Sequence, residues 1–194
     1  MVSPLNRRDV VARLLQGRER LLVVTGLGSP SYDVHAAGDH DGNYYLWGAM
    51  GAAALVGLGL ARARPDQVVL VITGDGEQLM GLGGLATIAV ARPANLVIVV
   101  LDNGHYGETG MQPSHTGLGL DLAAVAAACG YAQARTVFDV VGVEEMADGL
   151  MQQSSGPRFY AVKVAAENLP RSLPPRDGVH IKNRLRGHLG LAVS

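Results

Sequence analysis

Apolar positions along the 194 residues fall into two kinds of run. Short runs rich in β-branched residues, Leu21 to Thr25, Val68 to Thr73, Leu96 to Leu101 and Phe159 to Val164, predict strands. The middle two are almost wholly apolar, the pattern of strands covered on both faces of a parallel sheet. Ala132 to Val137 predicts a weaker strand. Between them, Arg7 to Gln16, Gly48 to Ala63, Leu79 to Ala91, Asp121 to Cys129 and Val143 to Gln153 predict helices, several closing at Gly17, Pro65, Pro93 or Gly130. Strands alternating with helices imply an α/β fold: a doubly wound, mostly parallel sheet with helices on both faces.

At Asn168 the pattern breaks. From there to Ser194 lie three prolines and five of the 16 Lys/Arg residues (Arg171, Arg176, Lys182, Arg184, Arg186), which predicts a Pro-rich connector and a short basic helix near Ile181 to Leu189. Residues 1–167 are then one domain-sized unit and 168–194 its tail, which excludes a large two-domain enzyme. With 16 basic against 17 acidic residues and 5% aromatics, the chain has no basic patch or stacking platform for nucleic acid. A lone Cys129 allows no intrachain disulfide, four-cysteine zinc site or thiolate-held cluster; it reads as a small buried hydrophobe at a helix end. The longest apolar run, Ala49 to Ala61, is shorter than the roughly 18 residues that cross a bilayer, and no signal-peptide pattern opens the chain. No membrane or nucleic-acid partner is expected, and the expected location is the cytoplasm.

Chemistry enters at the strand ends. Val68 to Thr73 runs into Gly74-Asp75-Gly76-Glu77, and Leu96 to Leu101 into Asp102-Asn103-Gly104-His105-Tyr106. Parallel strands joined by right-handed crossovers put both segments on one sheet edge, where ligands of open α/β sheets bind. Thr25-Gly26-Leu27-Gly28-Ser29 would join them there. A carboxylate and a carboxamide suit a hard cation such as Mg²⁺, which completes its shell with phosphate oxygens and water. Gly74 and Gly76 admit a phosphate to backbone N–H groups, helped by a helix predicted to start near Leu79. The implied ligand is a Mg²⁺-diphosphate.

At these residues the chain resembles the thiamine diphosphate (ThDP) enzymes, and within them the β subunits of sulfopyruvate decarboxylase and phosphonopyruvate decarboxylase. Gly74-Asp75-Gly76, Met80-Gly81-Leu82-Gly83, Leu85-Ala86-Thr87-Ile88-Ala89, Leu101-Asp102-Asn103 and Tyr106-Gly107 carry the likeness. It implies that Asp75, the Asn103 side chain and the His105 carbonyl bind Mg²⁺, with Tyr106 alongside, while the Gly76 and Glu77 amides meet the diphosphate. Leu46-Trp47-Gly48-Ala49-Met50-Gly51 is similar to the family's Gly-Ser-Met-Gly segment, with Ala49 at the usual Ser. There the resemblance gives Gly48 and Met50 contacts to the aminopyrimidine, with Met50 wedging the cofactor into a bent shape.

Glu108 stands where the family usually carries Ser. Glu108, Thr109, Gln112 and His115 are expected to line a substrate pocket, with Glu108 or His115 relaying protons. Asp39-His40-Asp41, near His35, reads as a solvated turn in preference to a metal site. In the family a Glu that activates the aminopyrimidine belongs to a separate pyrimidine-binding domain, which these residues do not contain. The resemblance therefore implies a pyrimidine-binding α subunit supplying that Glu, in an α2β2 or higher hetero-oligomer. The expected reaction is decarboxylation of an anionic 3-substituted pyruvate such as sulfopyruvate or phosphonopyruvate. Arginines of the C-terminal segment are the anion-binding candidates. Carboligation in the manner of acetolactate synthase and a non-catalytic ThDP-binding role stay open.

Overall fold

The computed structural model describes residues 4–18, 20–152 and 154–193; Gln153, the expected end of one helix, lies outside them. The chain runs α1 (Arg7–Leu14), β1 (Leu21–Thr25), α2 (Ser29–Ala36), β2 (Asn43–Tyr45), α3 (Ala53–Ala63), β3 (Val68–Gly74), α4 (Asp75–Met80), α5 (Gly84–Ala91) and β4 (Leu96–Asp102). A small hairpin follows, β5 (His105–Tyr106) with β6 (Gln112–Pro113), then α6 (Leu122–Cys129), β7 (Gln133–Val137), α7 (Val140–Gly149), β8 (Arg158–Lys163) and α8 (Gly178–His188).

Six strands form one sheet in the order β2-β1-β3-β4-β8-β7, every pair parallel. The four inner strands are nearly all apolar because both faces are covered, as the composition of β3 and β4 predicts. Alternation along each strand divides the core into two layers. Val23, Leu70, Ile72, Val97, Val99 and Val162 face α1, α2 and α7. Leu22, Val24, Val69, Val71, Ile98 and Phe159 face α3, α5 and α6. The buried Arg158 opens β8 and donates to the Gly149 and Leu150 carbonyls at 2.6 and 2.7 Å, closing the C-terminal end of α7. Among the described residues no helix is long and apolar enough to cross a membrane.

Several boundaries differ from expectation for local reasons. The helix expected over Gly48 to Ala63 begins only at Ala53, because Ala49 and Gly51 have φ of +55° and +92°. The helix expected over Leu79 to Ala91 is two, α4 and α5, separated by the glycine-rich stretch 81–83. The helix at the Gly74-Asp75-Gly76 segment therefore starts at Asp75, directly after the strand, and not near Leu79. The pattern conceals α2 because its buried residues include Ser31 and Asp33 as well as Val34, so no apolar stripe marks it. At three residues, β2 is too short to show alternation.

The C-terminal segment docks on the β2 edge. From α8, Ile181 and Leu185 are buried, and Arg184 binds Asp39 at 2.6 Å and the Asn43 carbonyl at 3.3 Å. Asp39 and Asp41 of the 39–41 turn are exposed, as expected of a solvated turn, while the half-buried His40 ring packs edge-on against His188 of this helix, centroids 5.1 Å apart. Covering an edge strand in this way also blocks further strand pairing.

Two tests follow from this packing. A Cβ on Gly57 would lie 2.3 Å from Val71 Cγ2, whereas one on Gly59, in the same helix, meets nothing within 4 Å. Gly57→Ala is expected to destabilise by about 1–3 kcal/mol through overpacking, and Gly59→Ala to stabilise by about 0.5–1 kcal/mol through helix propensity; urea unfolding of both variants reads the opposite signs. Burial, with Arg18 and His188 adding to it, holds the His40 imidazole below its ordinary value, and its Nδ1 accepts from Gly42 N–H at 2.9 Å. Protons then bind the unfolded chain more readily, so this contribution to stability is complete above the ordinary imidazole value of about 6.5 and is lost as pH falls below it. The melting temperature should drop between pH 7 and pH 5, and drop less in His40→Gln; equal slopes for the two proteins would contradict the assignment.

Candidate functional site

Strand order reverses between β1 and β3, since the chain steps from β1 out to β2 and then back past β1 to β3. The crevice at the carboxyl ends of those strands is where open α/β sheets bind ligands. Gly74 pairs with Leu101 across β3 and β4, so Asp75 and the Asp102-Asn103 pair emerge side by side. From β1, Gly26 N–H donates to the Ile72 carbonyl at 2.8 Å, and a Cβ on Gly26 would lie 2.4 Å from Thr73 Oγ1. Gly28, at φ +79°, starts α2 and abuts the Glu108 side chain.

Asp75, 2% exposed, opens α4. Its Oδ2 accepts from the Ser114 hydroxyl and contacts Thr116 Oγ1 at 3.0 Å. Thr116 Oγ1 also lies 2.7 Å from Asp102 Oδ1, whose other oxygen pairs with Lys163 Nζ at 2.6 Å. Burial pushes the Asp75 carboxyl above the ordinary carboxylate range; the two hydroxyls oppose this and the Asp102 carboxylate adds to it. Asn103 Oδ1 accepts from His105 N–H at 2.9 Å, which orients the carboxamide. The hairpin carries Tyr106 back over α4. There a Cβ on Gly76 would stand 2.5 Å from the Tyr106 ring, so only glycine fits.

Glu77 does a second job with its side chain. Its Oε1 accepts from Gly51 and Ala53 N–H at 2.9 and 3.1 Å, and its Oε2 from the Thr73 hydroxyl. This buried carboxylate caps α3 and holds the 48–52 turn. Gly51 and Gly81 meet backbone to backbone: a Cβ on Gly81 would lie 2.0 Å from the Gly51 carbonyl oxygen. Met50, 44% exposed, is thereby presented at the mouth of the crevice.

A cleft of about 160 Å³ lies over these elements, lined by Asp75, Gly76, Glu77, Asn103, His105 and Tyr106 on one side. Met50, Leu27, Ser29, Glu108 and Thr109 complete it, together with Arg7. Gly26, Gly28 and Gly48 flank the lining without being part of it. His115 and Gln112 are exposed and stay outside: His115 is turned out between the buried Ser114 and Thr116, and Gln112 pairs with Thr109 Oγ1 at 3.0 Å.

A carboxylate and an oriented carboxamide at adjacent strand ends form a hard-oxygen donor set that fits Mg²⁺. Beside them Gly74 starts α4 with no side-chain cap, and a Cβ there would meet nothing within 4 Å. Residues 32–164 match the family model described as thiamine pyrophosphate enzyme, C-terminal TPP binding domain. The chain belongs to this family. The TPP-binding domain is 40% identical over 125 residues to the sulfopyruvate decarboxylase subunit beta of Methanocaldococcus jannaschii, covering 64% of this chain and 66% of that one. It is 45% identical over 128 residues to the phosphonopyruvate decarboxylase of Streptomyces viridochromogenes, covering 66% of this chain but 31% of the relative. Its fold superposes on benzoylformate decarboxylase from Polynucleobacter necessarius with a TM-score of 0.72 at 20% identity, over 87% of this chain and 35% of that one. The chain thus spans about a third of the longer relatives.

Two residues of the TPP-binding domain's cleft escape sequence reasoning or change its meaning. Arg7, 5% exposed, reads in the sequence as the polar start of a helix, and only its buried contact with Asp33, at 2.7 Å, sets it apart. Glu108 is expected from sequence, but its partner is not: Arg171 of the C-terminal segment pairs with it at 3.0 Å, and Ser29 Oγ lies 3.5 Å away. The remaining C-terminal arginines are spent elsewhere, Arg184 on Asp39, Arg186 on the Ala192 carbonyl and Arg176 over the Trp47 ring. Replacing Glu77 by Ala removes the acceptor for three donors and should cost about 2–4 kcal/mol in urea unfolding. Glu77→Gln, which keeps one carbonyl oxygen, should recover part of that; wild-type stability in Glu77→Ala would refute the cap.

Proposed function

We propose that this chain is the diphosphate-binding β subunit of a ThDP- and Mg²⁺-dependent 2-oxo acid decarboxylase. The convergence of Asp75 and Asn103 at the ends of β3 and β4, in a chain similar to sulfopyruvate decarboxylase β subunits, carries the reading. Asp75 and the Asn103 side chain, with the His105 carbonyl, hold Mg²⁺. Amides of Gly76 and Glu77, with the Gly26 to Gly28 turn, receive the diphosphate, and Gly48 and Met50 meet the aminopyrimidine. When bound, ThDP supplies a nucleophilic carbon and an electron sink for the pair released with CO₂.

The chain's own residues position and shield. Ser114 and Thr116 occupy Asp75 Oδ2, which leaves the carboxylate's other oxygen to the metal. Tyr106 covers α4 against water. Glu108 reaches the cleft and is the proton-handling side chain of this subunit, its charge matched by Arg171. His115 is exposed and outside the lining of this chain's cleft, so within this chain the relay rests on Glu108.

Substrate and partner follow the relatives. The acid is an anionic 3-substituted pyruvate, sulfopyruvate or phosphonopyruvate, and the pairing of Glu108 with Arg171 removes the repulsion that an unmatched acid would offer it. The cleft's 160 Å³ falls short of the ~300–1,000 Å³ that enclose a small-molecule ligand. The missing wall, and the Glu that activates the aminopyrimidine, come from a pyrimidine-binding α subunit in an α2β2 or larger assembly in the cytoplasm.

Saturating ThDP with Mg²⁺ should raise the chain's melting temperature, by an amount equivalent to about 2.7 kcal/mol at a hundredfold excess over Kd. Asp75→Ala and Asn103→Ala should abolish the rise. CO₂ release from sulfopyruvate or phosphonopyruvate should need the α subunit; rapid turnover by the chain alone, or no thermal response to the cofactor, would reject the proposal.

A further inference from the structure

Arg7 is a guanidinium built into the wall of the cleft to which the proposed function assigns no role. Among the described lining residues it is the one Lys or Arg, set against Asp75, Glu77 and Glu108. Its Nε donates to Asp33 Oδ2 at 2.7 Å and its Nη1 to the Glu167 carbonyl at 3.0 Å, so the head group is fixed from two sides. Arg8 binds the other Asp33 oxygen at 3.1 Å. Arg7 is the more deeply buried of the two on that carboxylate, its side chain 5% exposed against 28% for Arg8, and of the two it is the one that lines the cleft.

Position separates Arg7 from the metal end of the cleft. Asp75 and Asn103 stand at the ends of β3 and β4, whereas Asp33 lies one turn beyond Ser29 and Pro30, the α2 residues that line the cleft. Arg7 therefore belongs to the α2 wall, which also carries Ser29 beside Glu108. A fixed planar fork is the donor that suits a tetrahedral oxyanion, and its preorganisation lowers the entropy lost on binding.

We propose that Arg7 is the specificity residue that binds the distal sulfonate or phosphonate of the 2-oxo acid; this rests on the decarboxylase reading for the substrate, though not for the anion site itself. The test uses the full chain loaded with ThDP and Mg²⁺. Calorimetry with sulfoacetate and phosphonoacetate, which lack the 2-oxo group and cannot react, measures the anion site, with acetate as control. Arg7→Gln should weaken both dianions about 10- to 100-fold, leave the ThDP Kd within twofold, and, in the assembled enzyme, raise KM for the anionic acid without raising it for pyruvate. Arg7→Lys, which keeps the charge but not the fork, should fall between and guards against a folding defect in the Gln variant. If Arg7→Gln weakens ThDP instead, Arg7 serves the diphosphate and the proposal fails. It fails equally if wild type binds neither dianion, or if only the melting temperature changes. Wild type that binds both dianions through Arg7 yet decarboxylates no 2-oxo acid would uphold the anion site and reject the decarboxylase reading.

Discussion

The parallel pairing of β3 with β4 is the constraint on which the rest of this structure depends. Gly74 opposite Leu101 puts Asp75 beside Asp102 and Asn103, and a slip of two residues would part them by about 6.6 Å, at roughly 3.3 Å per residue. Both strands are buried on both faces, so Val69 to Ile72 and Leu96 to Leu101 are each committed to one of two packed layers. Thr116 then bridges the two carboxylates, and Lys163 on the next strand balances Asp102. A buried pair of acids is tolerable only with such partners.

Around that pair, the site is assembled from glycines in close contact with their neighbours. Gly51 sits against Gly81, Gly26 against Thr73, and Gly76 under the Tyr106 ring. One buried carboxylate, Glu77, gathers the Gly51 and Ala53 amides and the Thr73 hydroxyl, joining the turn before α3 to the end of β3. The strained φ of Ala49 is held by these contacts and lies next to Met50, the apolar side chain presented at the mouth.

Charge is distributed by wall. The floor at the strand ends carries acids, the α2 wall carries Arg7, and the rim carries Glu108 under Arg171. The C-terminal segment meets that rim first and then crosses α2 to the β2 edge: Arg8 donates to the Pro170 carbonyl, Arg171 pairs with Glu108, His35 meets Ser172 at 2.8 Å, and Trp47 Nε1 donates to the Pro175 carbonyl at 2.7 Å. What reads in the sequence as a basic tail is, in the fold, a strap that brings a cation to the cleft and seals an edge strand.

By itself, the sequence determined the layer architecture, the four inner strands, the edge at which Asp75, Gly76 and Asn103 gather and the thiamine pyrophosphate family to which the chain belongs. Those follow from local signals: apolar runs sized for a buried parallel sheet, and short motifs placed directly after them. Only the tertiary structure decided where α4 begins, that Glu77 caps a distant helix, that His115 points away while its neighbours face Asp75, and that Arg7 lines the cleft. Each of these depends on contacts between residues far apart in the chain, from 24 positions between Ala53 and Glu77 to 160 between Arg7 and Glu167. Periodicity and motif spacing report what a segment buries and how it turns. They carry no information about which distant group a polar side chain will meet, because that is set by packing of the whole chain.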